Sequence, residues 1–555
     1  MLMTSLQQSS GPKTLVLEGK PLTVFEVDEV ARAQRSVRLT ESEAVLRRMK
    51  ASQSLVSQAV DEGRTVYGVT TGYGSMADVA VPSDMAAASQ ANLLAFLSTG
   101  AGAPIDSRHV RAAMLLRANM LMRGLSGVRP EVPRRLAAFL EADAVPVVRE
   151  LGSIGASGDL VPLAVVARAI TGLSGSCRVR WHGGEVDGGD VLRELGMKPL
   201  KLLPKEALAI VNGTSFSAAV AANCCCAARD LLGLTMSAHA MMIRALCGRE
   251  EPFHREVHRS KPHPGQIWTA DVLRRLLNEG SQTKTPNQRE QVQDRYGIRC
   301  LPQYFGPIVE GFARVQATVH TEMNGVSDNP LVDGELERFH QSGNFLGQYV
   351  GVAMDDLRRF LGLMAKHLDV QIAQLVAPEF NRGLPPSLTG NTDVAYHMGL
   401  KGLQITGNSI MPLLVYHGNP LVEHYPTHAE QYNQNVNGLS WGASHLAWRS
   451  VELAQQYLAI VLIFAVQAVD LRARALLGHC DGRRLLGSLV EPLYAAVYRA
   501  VDAEPGERSP LIGDDSDHSL ESHLASLASD IDERGSIVAS VRSVLELYDH
   551  ADLSR

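Results

Sequence analysis

The tripeptide Ala156-Ser157-Gly158 lies inside the glycine-rich stretch Gly152-Ser153-Ile154-Gly155-Ala156-Ser157-Gly158-Asp159-Leu160. Its chemistry depends on how tightly the backbone bends there, and glycines permit a compression that other residues resist. In a squeezed turn the amide nitrogen of Gly158 can attack the carbonyl carbon of Ala156 and close a five-membered ring. Loss of water then converts Ser157 to a dehydroalanine, leaving an exocyclic methylidene conjugated to a carbonyl. Glycine suits the attacking position because a Cβ would hinder the approach, and the small side chain of Ala156 helps for the same reason. The bland alternative is a loop in which Ser157 or Asp159 caps the following helix.

The surrounding elements decide whether such a turn can be held. Pro162 fits a first helical turn, and Leu163, Val166, Ala167 and Ile170 continue at helical spacing. The tripeptide therefore precedes a helix N-terminus, whose partial positive charge would strengthen an electrophile. Helical periodicity dominates elsewhere too: Ser107 to Met122, Pro133 to Ala142, Lys205 to Leu232, Val350 to Leu375 and Ala443 to Leu477. Strand-like stretches are few, namely Thr14 to Val27, and Cys177 to Val186 around the turn His182-Gly183-Gly184. The expected fold is mainly α, with a mixed N-terminal domain carrying the reactive stretch and a long central helical bundle. The expected segments are a flexible 1–20, an N-terminal domain over 21–204, a bundle over 205–477 and a helical region over 478–555. Gly63 to Asp84 and Asn278 to Gln291 are expected to be mobile loops, as lids often are.

Composition narrows the function class. The chain has 555 residues, of which 45% are hydrophobic, with a formal net charge of −6. That suits a globular protein with a large core and lacks the basic stripe of a nucleic-acid binder. The longest strongly apolar run, Leu458 to Val466, is too short to span a bilayer and reads as a buried helix. The polar N-terminus has no signal-peptide core, and the Cys224-Cys225-Cys226 run reads as reduced core residues, so the expected location is the cytoplasm. His254 and His258, and His424 and His428, have the i, i+4 spacing of metal ligands. Neither pair has a local third ligand, so no metal is expected, and no nucleotide-binding fingerprint is present.

Several further motifs occur in a fixed order. They are Tyr67-Gly68-Val69-Thr70-Thr71-Gly72-Tyr73-Gly74, Asn212-Gly213-Thr214-Ser215, Lys261-Pro262-His263-Pro264-Gly265-Gln266, Gln293-Asp294-Arg295-Tyr296-Gly297-Ile298-Arg299-Cys300, Ser327-Asp328-Asn329-Pro330 and Asn344-Phe345-Leu346-Gly347-Gln348. With the Ala-Ser-Gly stretch, these resemble the histidine, phenylalanine and tyrosine ammonia-lyases and their aminomutase relatives, from about Leu22 into the C-terminal region. The nearest look is to the bacterial, cyanobacterial-type phenylalanine ammonia-lyases. The resemblance implies a 4-methylideneimidazole-5-one (MIO) group formed from Ala156-Ser157-Gly158. It also implies an ammonia-lyase fold of the fumarase-aspartase type, and a homotetramer whose active sites are shared between subunits.

The resemblance also assigns roles. Tyr67 is the base that takes the β-proton, so the site must lower its pKa or deprotonate it locally. Tyr296 stands beside the prosthetic group, and Asn212 near both ring and substrate. Arg299 offers a planar fork for the substrate carboxylate. Its offset from Gln293 and Tyr296 lets the three share one face of a short helix. Asn344, Phe345 and Gln348 match an active-site segment, and Glu430, Asn433 and Gln434 a polar cluster near the substrate amine.

The pair Phe96-Leu97 bears on specificity. Tyrosine-selective members usually carry His at the first position and histidine-selective members Ser-His, whereas Phe96-Leu97 offers only apolar surface. A substrate hydroxyl buried there without a partner would cost about 1–3 kcal/mol. Leu160 and Leu208 match further apolar contacts. The expected reaction is elimination of ammonia from L-phenylalanine to give trans-cinnamate, with tyrosine turnover as a secondary activity. The alternatives are a phenylalanine 2,3-aminomutase, separable by chiral analysis of the product, and an inactive helical scaffold.

Overall fold

The computed structural model describes residues 14–173, 177–279, 292–514 and 519–553. Helices dominate, and the described strands form small two- and three-stranded sheets. The chain divides into two compact units. Unit 1 comprises Met1–Cys226, Gln316–Asp355 and Pro420–Trp448, and unit 2 comprises Ala227–Val315, Asp356–Asn419 and Arg449–Arg555.

In unit 1, Thr14–Leu17 pairs in parallel with Ser36–Leu39. The expected strand from Thr14 to Val27 stops at Leu17, because a helix runs over Val24–Ala31. Its N-terminus is fixed by a capping box. Thr23 Oγ1 accepts from the Glu26 amide at 3.2 Å, and the Glu26 carboxylate accepts from the Thr23 amide at 2.9 Å. Two otherwise orphaned amides are satisfied, which outweighs the β-preference of a run rich in Thr, Val and Phe. The expected hairpin is present as Arg178–Trp181 against Gly184–Asp187, and His182 and Gly183 turn it with φ of 49° and 77°.

Helices Ser107–Leu121 and Glu131–Glu141 lie where periodicity puts them. The helix expected over Lys205 to Leu232 is instead two, Glu206–Val211 and Ser215–Ala245, broken at Asn212-Gly213-Thr214. The break is tertiary in origin: Gly213 pairs with Gly158 in a parallel bridge, and a helical backbone could not offer that edge. Cys224, Cys225 and Cys226 are buried free thiols of the second helix. The long helices Gln348–Val376 and Ser440–Leu477 match expectation, and Leu458 to Val466 is buried throughout. Unit 1 holds the first turns of Ser215–Ala245, Gln348–Val376 and Ser440–Leu477.

In unit 2 the last part of Ser440–Leu477 anchors the helix Glu491–Ala500. The buried carboxylate of Asp470 accepts from the Tyr494 hydroxyl at 2.5 Å, the Tyr498 hydroxyl at 2.6 Å and the Leu511 amide at 2.8 Å. Among the described residues no helix is long and apolar enough to cross a membrane. Of the second expected loop, residues 280–291 lie outside the described residues, and Asn278 ends the helix Pro264–Asn278.

One polar feature is built into the core of unit 1. Lys205 Nζ lies 2.8 and 2.9 Å from the two carboxylate oxygens of Asp328, with both side chains at 0% exposure. Removing one partner leaves the other charge buried and uncompensated. Lys205→Met is therefore expected to lower unfolding free energy by about 3–5 kcal/mol in urea denaturation. A loss below about 1 kcal/mol would show that the pair holds nothing together.

Candidate active site

The stretch 154–159 is a compressed turn, with Gly155 and Gly158 at φ of 66° and 70°. Its backbone is bound by three distant segments. Gly213 O accepts from the Asp159 amide at 2.8 Å, Gly155 O from the Gly347 amide at 3.0 Å, and Ile154 O from the Leu439 amide at 2.9 Å. A Cβ on Gly158 would fall 2.2 Å from the carbonyl carbon of Gly213, so only glycine fits there.

Those three contacts place the turn at the start of several helices. Leu160–Thr171 begins directly after it, and Ser215–Ala245, Gln348–Val376 and Ser440–Leu477 begin within two residues of Gly213, Gly347 and Leu439. Their positive ends converge on the turn and favour negative charge there. Asp159 occupies the N-cap position of Leu160–Thr171 but makes no side-chain cap bond. Its fully buried carboxylate instead accepts from the Ser217 amide at 2.8 Å, the Ser217 hydroxyl at 2.7 Å and the Ser153 hydroxyl at 3.1 Å. Burial pushes its pKa up, and these bonds with the charge of Arg117 oppose the rise.

Ser157 faces a cavity of about 350 Å³ lined by Tyr67, Gly74, Ala77, Ala156, Asn212, Asn329, Gly343, Phe345, Leu346, Asn433, Gln434 and Val436. Asn212 Nδ2 donates to Ser157 O at 2.9 Å, and Gln434 Nε2 donates to Ser157 Oγ at 2.9 Å. Of the expected site residues, Tyr67, Ala156, Ser157, Asn212, Phe345, Asn433 and Gln434 thus share one wall system. Gly158 lies behind them and Leu160 opens the adjoining helix. Leu208 packs against the loop that carries Tyr67, since a Cβ on Gly68 would fall 2.5 Å from its Cδ2. Asn344 and Gln348 flank Phe345 but are exposed and off the cavity wall. Phe96 ends the helix Ala86–Phe96 and is 49% exposed, and Leu97 is buried beside it; neither lines the cavity.

The loop Gly63 to Asp84 is folded on itself. Gly72 and Val79, and Thr70 and Val81, exchange backbone bonds at 2.9 Å. The Tyr67 hydroxyl accepts from the Gly74 amide at 3.0 Å. A Cβ on Gly74 would fall 1.9 Å from Glu430 Oε2, so the Glu430 carboxylate stands over the same residue. The pKa of Tyr67 is raised rather than lowered: burial pushes it up, the Gly74 amide pulls it down, and the Glu430 charge raises it again. Glu430, Gln431 and Tyr432 adopt consecutive φ of 52°, 54° and 67°. Such strain in non-glycine residues collects where function needs a fixed shape, and here the Ala429–Gln434 bridge closes the turn that presents Gln434.

Gln293, Tyr296 and Arg299 lie in unit 2. Only Tyr296–Arg299 is helical, a single turn, yet the three do cluster. Arg299 Nη1 donates to Gln293 Oε1 at 2.5 Å, and its guanidinium sits 4.8 Å from the Tyr296 ring centroid. They line a cavity of about 550 Å³ with Arg249, Glu251 and Gln303 among its walls. His258 is held by Pro252 O at 2.8 Å and Gln266 Nε2 at 3.0 Å, and His254 caps the Arg255–Arg259 helix.

Sequence reasoning singled out neither Asn329 nor Arg117 nor Ser217. Asn329 was visible within Ser327-Asp328-Asn329-Pro330. Arg117 in the apolar run Met114-Leu115-Leu116 had a signal as a charge out of place. Ser217 had none, being a small residue in a helix.

The profile of the aromatic amino acid lyase family matches residues 22–499. A phenylalanine ammonia-lyase of Nostoc punctiforme is 46% identical, covering 98% of this chain and 99% of that protein. An aromatic ammonia-lyase of Loktanella atrilutea is 40% identical, covering 97% and 99%. The crystal structure of a tyrosine aminomutase of Streptomyces globisporus shares the fold at a TM-score of 0.84, with 26% identity over 96% of this chain and 98% of that one. By matched length and identity alike, the chain belongs to the aromatic amino acid lyase family.

Proposed function

We propose that the chain is a phenylalanine ammonia-lyase, eliminating ammonia from L-phenylalanine to give trans-cinnamate by way of an MIO group made from Ala156-Ser157-Gly158. The observation that carries this reading is the clamped turn itself. Ser157 is held at both of its oxygens by Asn212 and Gln434 and looks across one cavity at Tyr67. The residues fit the group: the attacking position is a glycine without room for a Cβ, and converging helix N-termini favour charge on the ring carbonyl. Once formed, MIO supplies an electrophile that makes the substrate amine a leaving group.

The remaining work falls to side chains. Asn212 fixes the carbonyl of residue 157. Tyr67 accepts the β-proton at its phenolic oxygen, and the Gly74 amide stabilises the phenolate that must precede this. Glu430, beside Gly74, suits the departing ammonium. Phe345, Leu346 and Val436 supply apolar wall for the aromatic ring. Phe96, Leu97, Leu160, Leu208, Asn344, Gln348 and Asn433 enter the substrate site by resemblance.

Gln293, Tyr296 and Arg299 enter it in the same way, with Arg299 as carboxylate clamp, through a homotetramer whose active sites are shared between subunits. Tyr296 is 71% exposed, as a residue awaiting a subunit contact would be. A cytoplasmic location belongs to the same reading.

Incubation with L-phenylalanine, followed by cinnamate absorbance, is expected to show product with the natural chain and essentially none with Ser157→Ala. Equal rates would contradict the mechanism. A second expectation concerns pH. Because the Glu430 charge raises the Tyr67 pKa, removing it favours the phenolate. Glu430→Gln should shift the rising limb of kcat/KM against pH toward lower pH, whatever it does to the maximum. An unmoved limb would remove Tyr67 or Glu430 from these roles.

A further inference from the structure

Gly213 separates the reactive turn from a buried cation. On one side, a Cβ added to Gly158 would fall 2.2 Å from the Gly213 carbonyl carbon. On the other, a Cβ added to Gly213 would fall 2.3 Å from Arg117 Nη2 and 2.4 Å from Ser327 O. The turn, Gly213 and the Arg117–Ser327 pair are therefore stacked in three layers with no side chain between them.

Arg117 lies on the helix Ser107–Leu121 with no exposure, among residues such as Leu116 and Ala118. Its Nη1 donates to Ser327 O at 3.1 Å, while Nε and Nη2 are buried without a hydrogen-bond partner. A guanidinium left partly unpaired in the core is costly, and an apolar side chain would fill the same space more cheaply. Burial lowers its pKa only to about 10, against the pull of Asp328 and Asp159, so the charge persists at neutral pH. Ser327 is itself held. Its hydroxyl accepts from the Thr214 amide at 3.3 Å, and the neighbouring Asp328 is locked to Lys205. The reaction described above makes no use of this cation.

We propose that Arg117 is a positioning residue for the self-modification of Ala156-Ser157-Gly158, bracing Gly213 from behind so that the turn stays compressed enough for ring closure. This rests on the MIO reading above. The step balances without any co-reactant. The nitrogen of Gly158 bonds to the carbonyl carbon of Ala156; that oxygen leaves as water with the amide protons of Gly158 and Ser157. The Ser157 hydroxyl leaves with the proton on its own Cα as a second water, and nothing is oxidised or reduced.

The test compares the full-length chain with Arg117→Met and Arg117→Lys, scoring each by intact mass and, separately, by circular dichroism and melting. The natural chain should be two waters lighter than its encoded mass. Arg117→Met, folded, should show at least about a tenfold lower dehydrated fraction, as a small misplacement of reacting atoms commonly costs that much. Arg117→Lys, which keeps the charge but not the planar fork on Ser327, should fall between. A folded Arg117→Met as fully dehydrated as the natural chain would overturn the proposal. Should Arg117→Met not fold, Arg117→Lys decides: complete dehydration overturns the proposal, and a reduced fraction in folded protein sustains it. If the natural chain itself keeps its encoded mass, the MIO reading fails first and this inference falls with it.

Discussion

Five backbone atoms between Ile154 and Asp159 do most to organise unit 1, because their partners come from segments far away in sequence. Gly213, Gly347 and Leu439 each give the turn one hydrogen bond, and each stands immediately before a long helix. A turn with two left-handed glycines would relax if left to itself. Here its shape is dictated by helices whose own burial fixes where they start. Asp159 adds a side-chain lock, spending its carboxylate on Ser217 and Ser153 rather than on the cap of its own helix.

That architecture also sets the electrostatics. Several helix N-termini aimed at one turn form a preorganised field that favours negative charge, which is what ring closure and the later electron uptake both require. The field does not extend its benefit to Tyr67, whose pKa burial and Glu430 both raise. In the chain described here Tyr67 is a neutral phenol donated to by Gly74. The phenolate needed for proton abstraction must draw its stabilisation from the bound substrate or from charge supplied by neighbouring subunits.

Much of the helical framework was legible in the sequence because it is written in local periodicity: Ser107 to Met122, Val350 to Leu375 and Ala443 to Leu477 needed no tertiary information. The errors have physical causes. Thr14 to Val27 was misread because β-branched residues mask the Thr23–Glu26 capping box that begins a helix. The break at Gly213 was invisible to periodicity because it is imposed by Gly158, more than fifty residues away. The wall formed by Tyr67, Ser157, Asn212 and Gln434 was reached through family motifs, not spacing, since four separate segments build it. Asn329 and Arg117 escaped because their roles exist only as long-range contacts, and Phe96 and Leu97, chosen from motif position, lie off the cavity.

The central claim is that the folded chain modifies its own backbone at Ala156-Ser157-Gly158. Trypsin cleavage after Arg149 and Arg168 releases the peptide Glu150 to Arg168, which contains the whole turn. Its mass, measured on protein that was folded before digestion, is the most direct reading of that claim. The account predicts a peptide two waters lighter than encoded, with both losses located at residues 156–158 by fragmentation. A peptide of encoded mass, carrying an intact Ser157, would contradict it.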